Sequence, residues 1–313
     1  MNSQDGLLKE IIRNGYSIQN DKRVWNLAKK CFRYINPEMA NSFLKLQKYP
    51  RYKATIIDTE IKLLREHIPN FLKDIKKEQF NLIDTSCIDG FKAKVIINAL
   101  PKNTRLRYCP VSVSEYLVDL SLKNVKKENF SNIVDFAPRI IKDFENVDDV
   151  GAALRNNKYQ KNIFLLLSSF LASFEINDYL FRLSQSMLPG DILILGNGIR
   201  TGLRFTHLET YQHPLFNDWL IHIMRQLGFK EDEVEYNARF ANNRLEGYYK
   251  IKVDKKIPYE KKNIVFKKND EVIVAFQYKL YENELRDFCD MYFDNVELVK
   301  DTENEYALIF CKR

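Results

Sequence analysis

No run of eighteen apolar residues occurs in this 313-residue chain, so an ordinary membrane-spanning helix is excluded. The N-terminus also lacks the basic, apolar, small-residue order of a secretory signal, and a cytoplasmic protein is expected. Cysteines are few and scattered: Cys31, Cys87, Cys109, Cys289 and Cys311 have no paired spacing, which argues against a disulfide framework or a zinc knuckle. Buried free thiols are the expectation. The four histidines, His67, His207, His213 and His222, include no i, i+4 pair and no HExxH, so no metal is expected and solvated or capping roles are. The Walker phosphate-loop pattern is missing, and Ser168 and Ser169 have no G-x-S-x-G context, which removes the serine-hydrolase reading.

Charge of one sign is not concentrated either. The net charge is +7, yet the lysines fall in dispersed pairs such as Lys29-Lys30, Lys126-Lys127 and Lys267-Lys268 with acidic residues nearby. That pattern reads as a solvated surface and gives no nucleic-acid footprint.

What is present is material for a large core, with 45% hydrophobic and 13% aromatic residues, enough for one large domain or two moderate ones. Residues 165–200 are the most telling stretch. The apolar runs at 163–167 and 192–195 suit strands buried on both faces, residues 176–187 suit a crossover helix, and Pro189-Gly190-Asp191 marks the turn between. This is part of a doubly wound sheet, whose ligands bind at the carboxyl ends of the strands; Ser168, Ser169, Ser173, Gly196, Asn197 and Gly198 therefore mark a site.

Strands are also expected at 80–84, 105–111 and 132–136, with helices at 91–99 and 113–124 between them and helix or loop at 143–157. Residues 5–48 read as helices, and residues 59–75 as a long one that Pro69 kinks or breaks. Helical segments at 207–227 give way to alternating stretches at 246–253, 263–266 and 271–280, which suit an antiparallel sheet. A helix at 281–293 and a terminal hairpin at 295–300 and 306–311 close the chain. The expected organisation is a parallel-sheet core at 63–199 and 286–313, carrying a composite α+β substrate or cap domain built from 1–62 and 200–285.

In this order the chain resembles the S-adenosylmethionine (SAM)-dependent L-histidine Nα-methyltransferases of ergothioneine biosynthesis, from the YPRYKATIIDTE stretch at 49–60 to the terminal hairpin. The resemblance implies an α/β fold, the seven-strand class I SAM methyltransferase type of doubly wound sheet with an added substrate domain, and SAM as cofactor. That family ends its first strand in Asp-Leu-Gly-x-Gly-x-Gly. Here Asp84-Thr85-Ser86-Cys87-Ile88-Asp89-Gly90 keeps Asp84 and Gly90 but places Ser86 and Ile88 where glycines belong. A Cβ there raises the steric cost of the turn, most of all at branched Ile88. The family's Tyr-x-Pro-x-Asp-x-Ser reads Tyr108-Cys109-Pro110-Val111-Ser112-Val113-Ser114, with neutral Ser112 in place of the ribose-binding carboxylate. Asp135-Phe136 is similar to the Asp-Phe that meets adenine. Leu-Gly-Ser-Thr-Ile-Gly-Asn-Phe becomes residues 167–174, so Ser169 stays as a cofactor contact and Ser173 replaces the asparagine that holds the substrate amine.

By the same resemblance Tyr211 falls near the catalytic tyrosine of the substrate domain. The imidazole-recognising Glu-x-Ser-x-Lys-Phe reads Ala275-Phe276-Gln277-Tyr278-Lys279-Leu280, so both recognition groups are gone and histidine is not the expected substrate. Gln277 and Lys279 remain as acceptor-pocket residues. Two local readings stand beside these: Asp89 as a cap of the helix at 91, and Cys87 as a packed thiol with no base beside it. The expected activity is methyl transfer to a small amine, amino acid or peptide. Two alternatives stay open: an inactive homologue serving as partner subunit or ligand sensor, and transfer of the aminocarboxypropyl group of SAM.

Overall fold

The structure, a computed structural model, describes residues 3–34, 36–73, 75, 78–85, 87–143, 147–202 and 207–313. The chain divides into two compact units, Met1–Tyr49 with Arg204–Tyr278, and Pro50–Leu203 with Lys279–Arg313.

The first unit opens with helix α1 (Ser3–Asn14), whose Leu7, Leu8 and Ile11 are buried at helical spacing. Residues 16–26 then correct the helical expectation: they form strands β1 (Tyr16–Gln19) and β2 (Lys22–Asn26). The reason is the two-residue link Asn20-Asp21, whose φ values of 48° and 62° make the left-handed turn that matches strand twist. Asn36 caps α2 (Pro37–Leu46) by accepting from the Met39 amide at 2.8 Å. After α9 (Leu208–Tyr211), α10 (Pro214–Gln226) buries Phe216, Trp219, Leu220 and Ile223. Strands β9 (Val234–Ala241), β10 (Arg244–Ile251), β11 (Lys255–Tyr259), β12 (Lys262–Phe266) and β13 (Glu271–Tyr278) follow. They build a sheet in the order β1-β2-β13-β10-β9 and a separate β11-β12 pair. The expected antiparallel pairing holds for β9, β10 and β13, whereas β13 and β2 run parallel.

The second unit begins with α3 (Pro50–Tyr52), passes through π-helical turns at Lys53–Asp58 and continues as α4 (Thr59–Phe71), which ends two residues beyond Pro69. Strand β3 (Gln79–Asp84), α5 (Phe91–Ala99), β4 (Arg105–Ser112), α6 (Glu115–Lys127), β5 (Ile133–Phe136) and the short β6 (Ile140–Ile141) come next. They are followed by α7 (Val147–Leu154), β7 (Lys161–Leu166), α8 (Ile176–Ser186), β8 (Ile192–Gly198), α11 (Glu282–Asp290), β14 (Asn295–Lys300) and β15 (Tyr306–Lys312). The strands lie in the order β14-β15-β8-β7-β3-β4-β5, with β6 on β4. Neighbours from β5 to β8 are parallel, while β15 runs antiparallel to β8. The chain builds outward from β3 to β5, then returns to β7 on the other side, which puts the switch point of the sheet between the ends of β3 and β7.

Candidate strand-tip site

At the end of β3, Asp84 is 3% exposed and accepts from the Tyr108 hydroxyl at 2.9 Å; that hydroxyl also lies 2.5 Å from Ser121 Oγ. Burial first, and the Asp84 charge next, hold the Tyr108 hydroxyl well above the ordinary tyrosine range. The Asp84 carboxylate is thereby tied to β4 and α6. Gly90 has φ 75°, and a Cβ there would stand 2.8 Å from Ser121 Oγ and 3.0 Å from Val125 Cγ2, so α5 and α6 meet only over a bare glycine. Asp89 Oδ1 accepts from the Phe91 amide at 3.0 Å, so it satisfies one free amide at the start of α5 from the residue before the cap, which is Gly90. Cys87 is buried with Sγ 3.6 Å from the Val111 carbonyl, and burial pushes its thiol well above the ordinary range, so it is a protonated packing group. Ile88 holds φ 34°, a left-handed backbone that a β-branched residue rarely adopts. Ser86 lies outside the described residues.

Ser112, at the end of β4, is 2% exposed, and its Oγ accepts from the Ser114 amide at 3.1 Å. Its backbone pairs with Ile141 of β6. Asp135 and Phe136 pair instead with Arg107 and Tyr108, and four residues of strand from Tyr108 to Ser112 span about 13 Å. The Asp135 carboxylate accepts from Lys158 Nζ at 2.7 Å and the Tyr159 hydroxyl at 2.8 Å, and both bonds, the lysine's foremost, hold it below the usual carboxylate range. Asp135 is thus not brought to the row of Ser112.

The ends of β7 and β8 are laced together. Ser168 and Ser169 both adopt left-handed backbone, with φ 63° and 53°. The Ser169 amide donates to the Gly196 carbonyl at 2.9 Å, and its Oγ accepts from the Gly198 amide at 2.9 Å. Beside them sits Glu60 of α4, fully buried. Its Oε1 accepts from the Ser168 amide at 2.8 Å and from the Tyr306 hydroxyl at 2.6 Å, while Oε2 takes the Lys92 ammonium. Lys92 also donates to Ser168 Oγ. Lys279, 2% exposed, fills the space that Gly198 leaves, its Nζ 2.7 Å from where a Cβ would stand. Burial lowers this lysine from 10.5 to about 8, with the Glu305 charge opposing. Ser173 Oγ and Asn197 Oδ1 are buried there with no hydrogen-bond partner among the described residues.

Residues 40–313 match the family described as histidine-specific, SAM-dependent methyltransferases. The chain belongs to this family. It is a SAM-dependent methyltransferase with the seven-strand fold, and SAM is its cofactor. Among solved structures, it is similar to a SAM-dependent methyltransferase from Clostridium acetobutylicum ATCC 824, at 14% identity and TM-score 0.45, covering 87% of this chain and 98% of that one. The PH0226 protein from Pyrococcus horikoshii OT3 is similar at 13% identity and TM-score 0.44, covering 88% of this chain and 99% of that one. No protein of curated function matches significantly.

The strand tips of the methyltransferase fit SAM. The Lys92 ammonium suits the carboxylate of its amino-acid part, and the unpartnered Ser173 Oγ and Asn197 Oδ1 are buried polar atoms that a ligand can satisfy. Tyr211 and Gln277 belong to the other unit. There the Tyr211 carbonyl accepts from the Tyr236 hydroxyl at 3.0 Å, and Gln277 pairs with Leu245 in the sheet. His213 caps α10 through Nδ1, which accepts from the Leu215 amide at 3.3 Å. Three residues of the strand-tip cluster escape a reading of the sequence: Glu60, Lys92 and Tyr306. Two signals were available: Glu60 ends the YPRYKATIIDTE stretch, and Lys92 is a cation in the first turn of a helix, where the backbone dipole disfavours one.

Proposed function

We propose that this methyltransferase transfers the methyl group of SAM to a small amine, amino acid or peptide other than free histidine. One observation carries retained cofactor binding. Ile88 and Ser168 stand where the family has glycine, yet both keep the left-handed backbone that glycine serves, with φ 34° and 63°. Such backbone costs about 1–3 kcal/mol per residue, and strain of this kind persists at ligand-holding sites. At these two positions the glycine is gone and the left-handed backbone remains.

SAM, when bound, supplies a methyl group on a positively charged sulfur. The residues of the chain then have to bind, orient and keep the acceptor nitrogen free of its proton, and no enzymic nucleophile is required. In this reading Lys92 takes the carboxylate of the cofactor, the Gly90 loop and Ser169 bound its path, and the Ser112 hydroxyl meets the ribose. Ser173 offers its free hydroxyl to the acceptor. Lys279 sits beside Ser169 and Gly198 as a buried cation, and a second cation next to it is disfavoured, so an amine seated there stays neutral. The changes from the imidazole-binding pattern at Ala275 and Gln277 support an acceptor other than histidine.

Calorimetry with SAM and S-adenosylhomocysteine tests the cofactor half: micromolar binding of either is expected, and no heat at millimolar ligand would instead favour a non-catalytic partner or sensor. Radiolabelled methyl transfer to a panel of amines, amino acids and short peptides, with free histidine as the comparison, tests the acceptor.

A further inference from the structure

Glu60 of the strand-tip cluster is fully buried. Its carboxylate is framed by the Ser168 amide, the Tyr306 hydroxyl and the Lys92 ammonium. Stability does not explain it, because a buried ion pair gains little or nothing over well-packed apolar residues of the same volume. Its position is also built with unusual means. The π-helical turns at Lys53–Asp58 end immediately before α4, and such turns are rare and concentrate at functional sites. Gly196 supplies the room, since a Cβ there would lie 2.0 Å from Glu60 Oε1. Lys92, for its part, stands in the first turn of α5, which contains no acidic residue, so the anion that holds it comes from α4. Lys92 keeps 11% of its side chain exposed, and among the described residues two of its three donor hydrogens are taken, by Glu60 and Ser168 Oγ.

We propose that Glu60 is a positioning residue of the cofactor site: fixed by Tyr306 and the Ser168 amide, its carboxylate holds the Lys92 ammonium at the tip of β7 with one donor free for the carboxylate of the ligand. This rests on the reading of Lys92 as the partner of the amino-acid part of SAM. In this arrangement the charge of Glu60 reaches the ligand through Lys92, and that separates it from a merely structural group.

The test is S-adenosylhomocysteine affinity by calorimetry in the full chain, read as a double-mutant cycle. Glu60→Gln and Lys92→Met should each weaken binding about tenfold, the value of one hydrogen bond to a charged group, and the double variant should be no weaker than Lys92→Met. Tyr306→Phe, which removes one support of Glu60, should weaken binding in the wild-type background and leave it unchanged in Lys92→Met; it decides the matter if Glu60→Gln does not fold. Losses that add across the cycle, or unchanged or tighter binding in folded Glu60→Gln or Tyr306→Phe, overturn the proposal alone. Wild-type protein that binds no S-adenosylhomocysteine overturns the cofactor reading and this proposal with it.

Discussion

Gly196 and Glu60 are complementary in space: the side chain that Gly196 lacks would stand 2.0 Å from Glu60 Oε1 and 2.9 Å from the Tyr306 hydroxyl. No real Cβ tolerates such an approach, so Gly196→Ala must displace a buried carboxylate that already holds three partners. Forced overpacking costs about 1–3 kcal/mol, and the melting temperature should fall accordingly. Gly202→Ala is the comparison, because among the described residues nothing lies within 4 Å of a Cβ there. That variant should melt like the wild type. Equal melting of the two variants would disprove the complementarity.

Ile88 carries its φ of 34° in the loop between β3 and α5. Ile88→Gly removes a Cβ from a left-handed position and gives the unfolded chain more freedom, and these act in opposite directions. The strain relieved, about 1–3 kcal/mol, exceeds the entropy term of about 0.4–1 kcal/mol, so the variant should melt at a higher temperature. Affinity for S-adenosylhomocysteine should rise as crowding at the turn is relieved. A lower melting temperature together with unchanged affinity would show that the loop carries no strain of this kind.

Ser112→Asp restores a carboxylate at the end of β4, where Ser112 Oγ now accepts from the Ser114 amide at 3.1 Å. A charged acceptor contributes about 1.5–3 kcal/mol per hydrogen bond, so S-adenosylhomocysteine should bind about tenfold tighter or more. Ile88→Gly combined with Ser112→Asp should exceed either change alone. Folded variants that gain nothing would mean that these strand tips do not form the nucleoside pocket.

Lys279 sets a pH signature. Its folded value of about 8 lies below the ordinary 10.5, so between these values the unfolded chain holds a proton that the folded chain has released. Stability therefore rises with pH through that window. The rise ends near pH 10, where the unfolded chain begins to ionise tyrosines such as Tyr34, which burial pushes up to about 12 in the fold. Thermal melts from pH 7 to 10 should show the wild type gaining on Lys279→Met. Parallel curves for the two proteins would mean that Lys279 does not titrate in this range.

The core sheet was legible because strands buried on both faces leave continuous apolar runs, and the 163–167 and 192–195 runs became β7 and β8. The hairpin at 16–26 was not, since Val24, Leu27 and Ala28 also fit helical spacing and only the Asn20-Asp21 turn decides against it. In the site, the serines and glycines at the ends of β7 and β8 were legible as strand tips. The place of Asp135 was not: composition marks the end of a strand, while register decides which residues of the next strand it faces.

The amino-acid sequence by itself determined the alternation of strands and helices in the core, the strand tips, and the family, because each is written in local apolar spacing or in motif order. Only the tertiary structure decided how the site is closed. Glu60 meets Lys92 across 32 residues, Ser168 across 108 and Tyr306 across 246. No periodicity encodes pairs that far apart. Their partnership follows from the backbone bringing α4, α5, β7 and β15 together, and from a buried carboxylate that has to find donors wherever the fold places it.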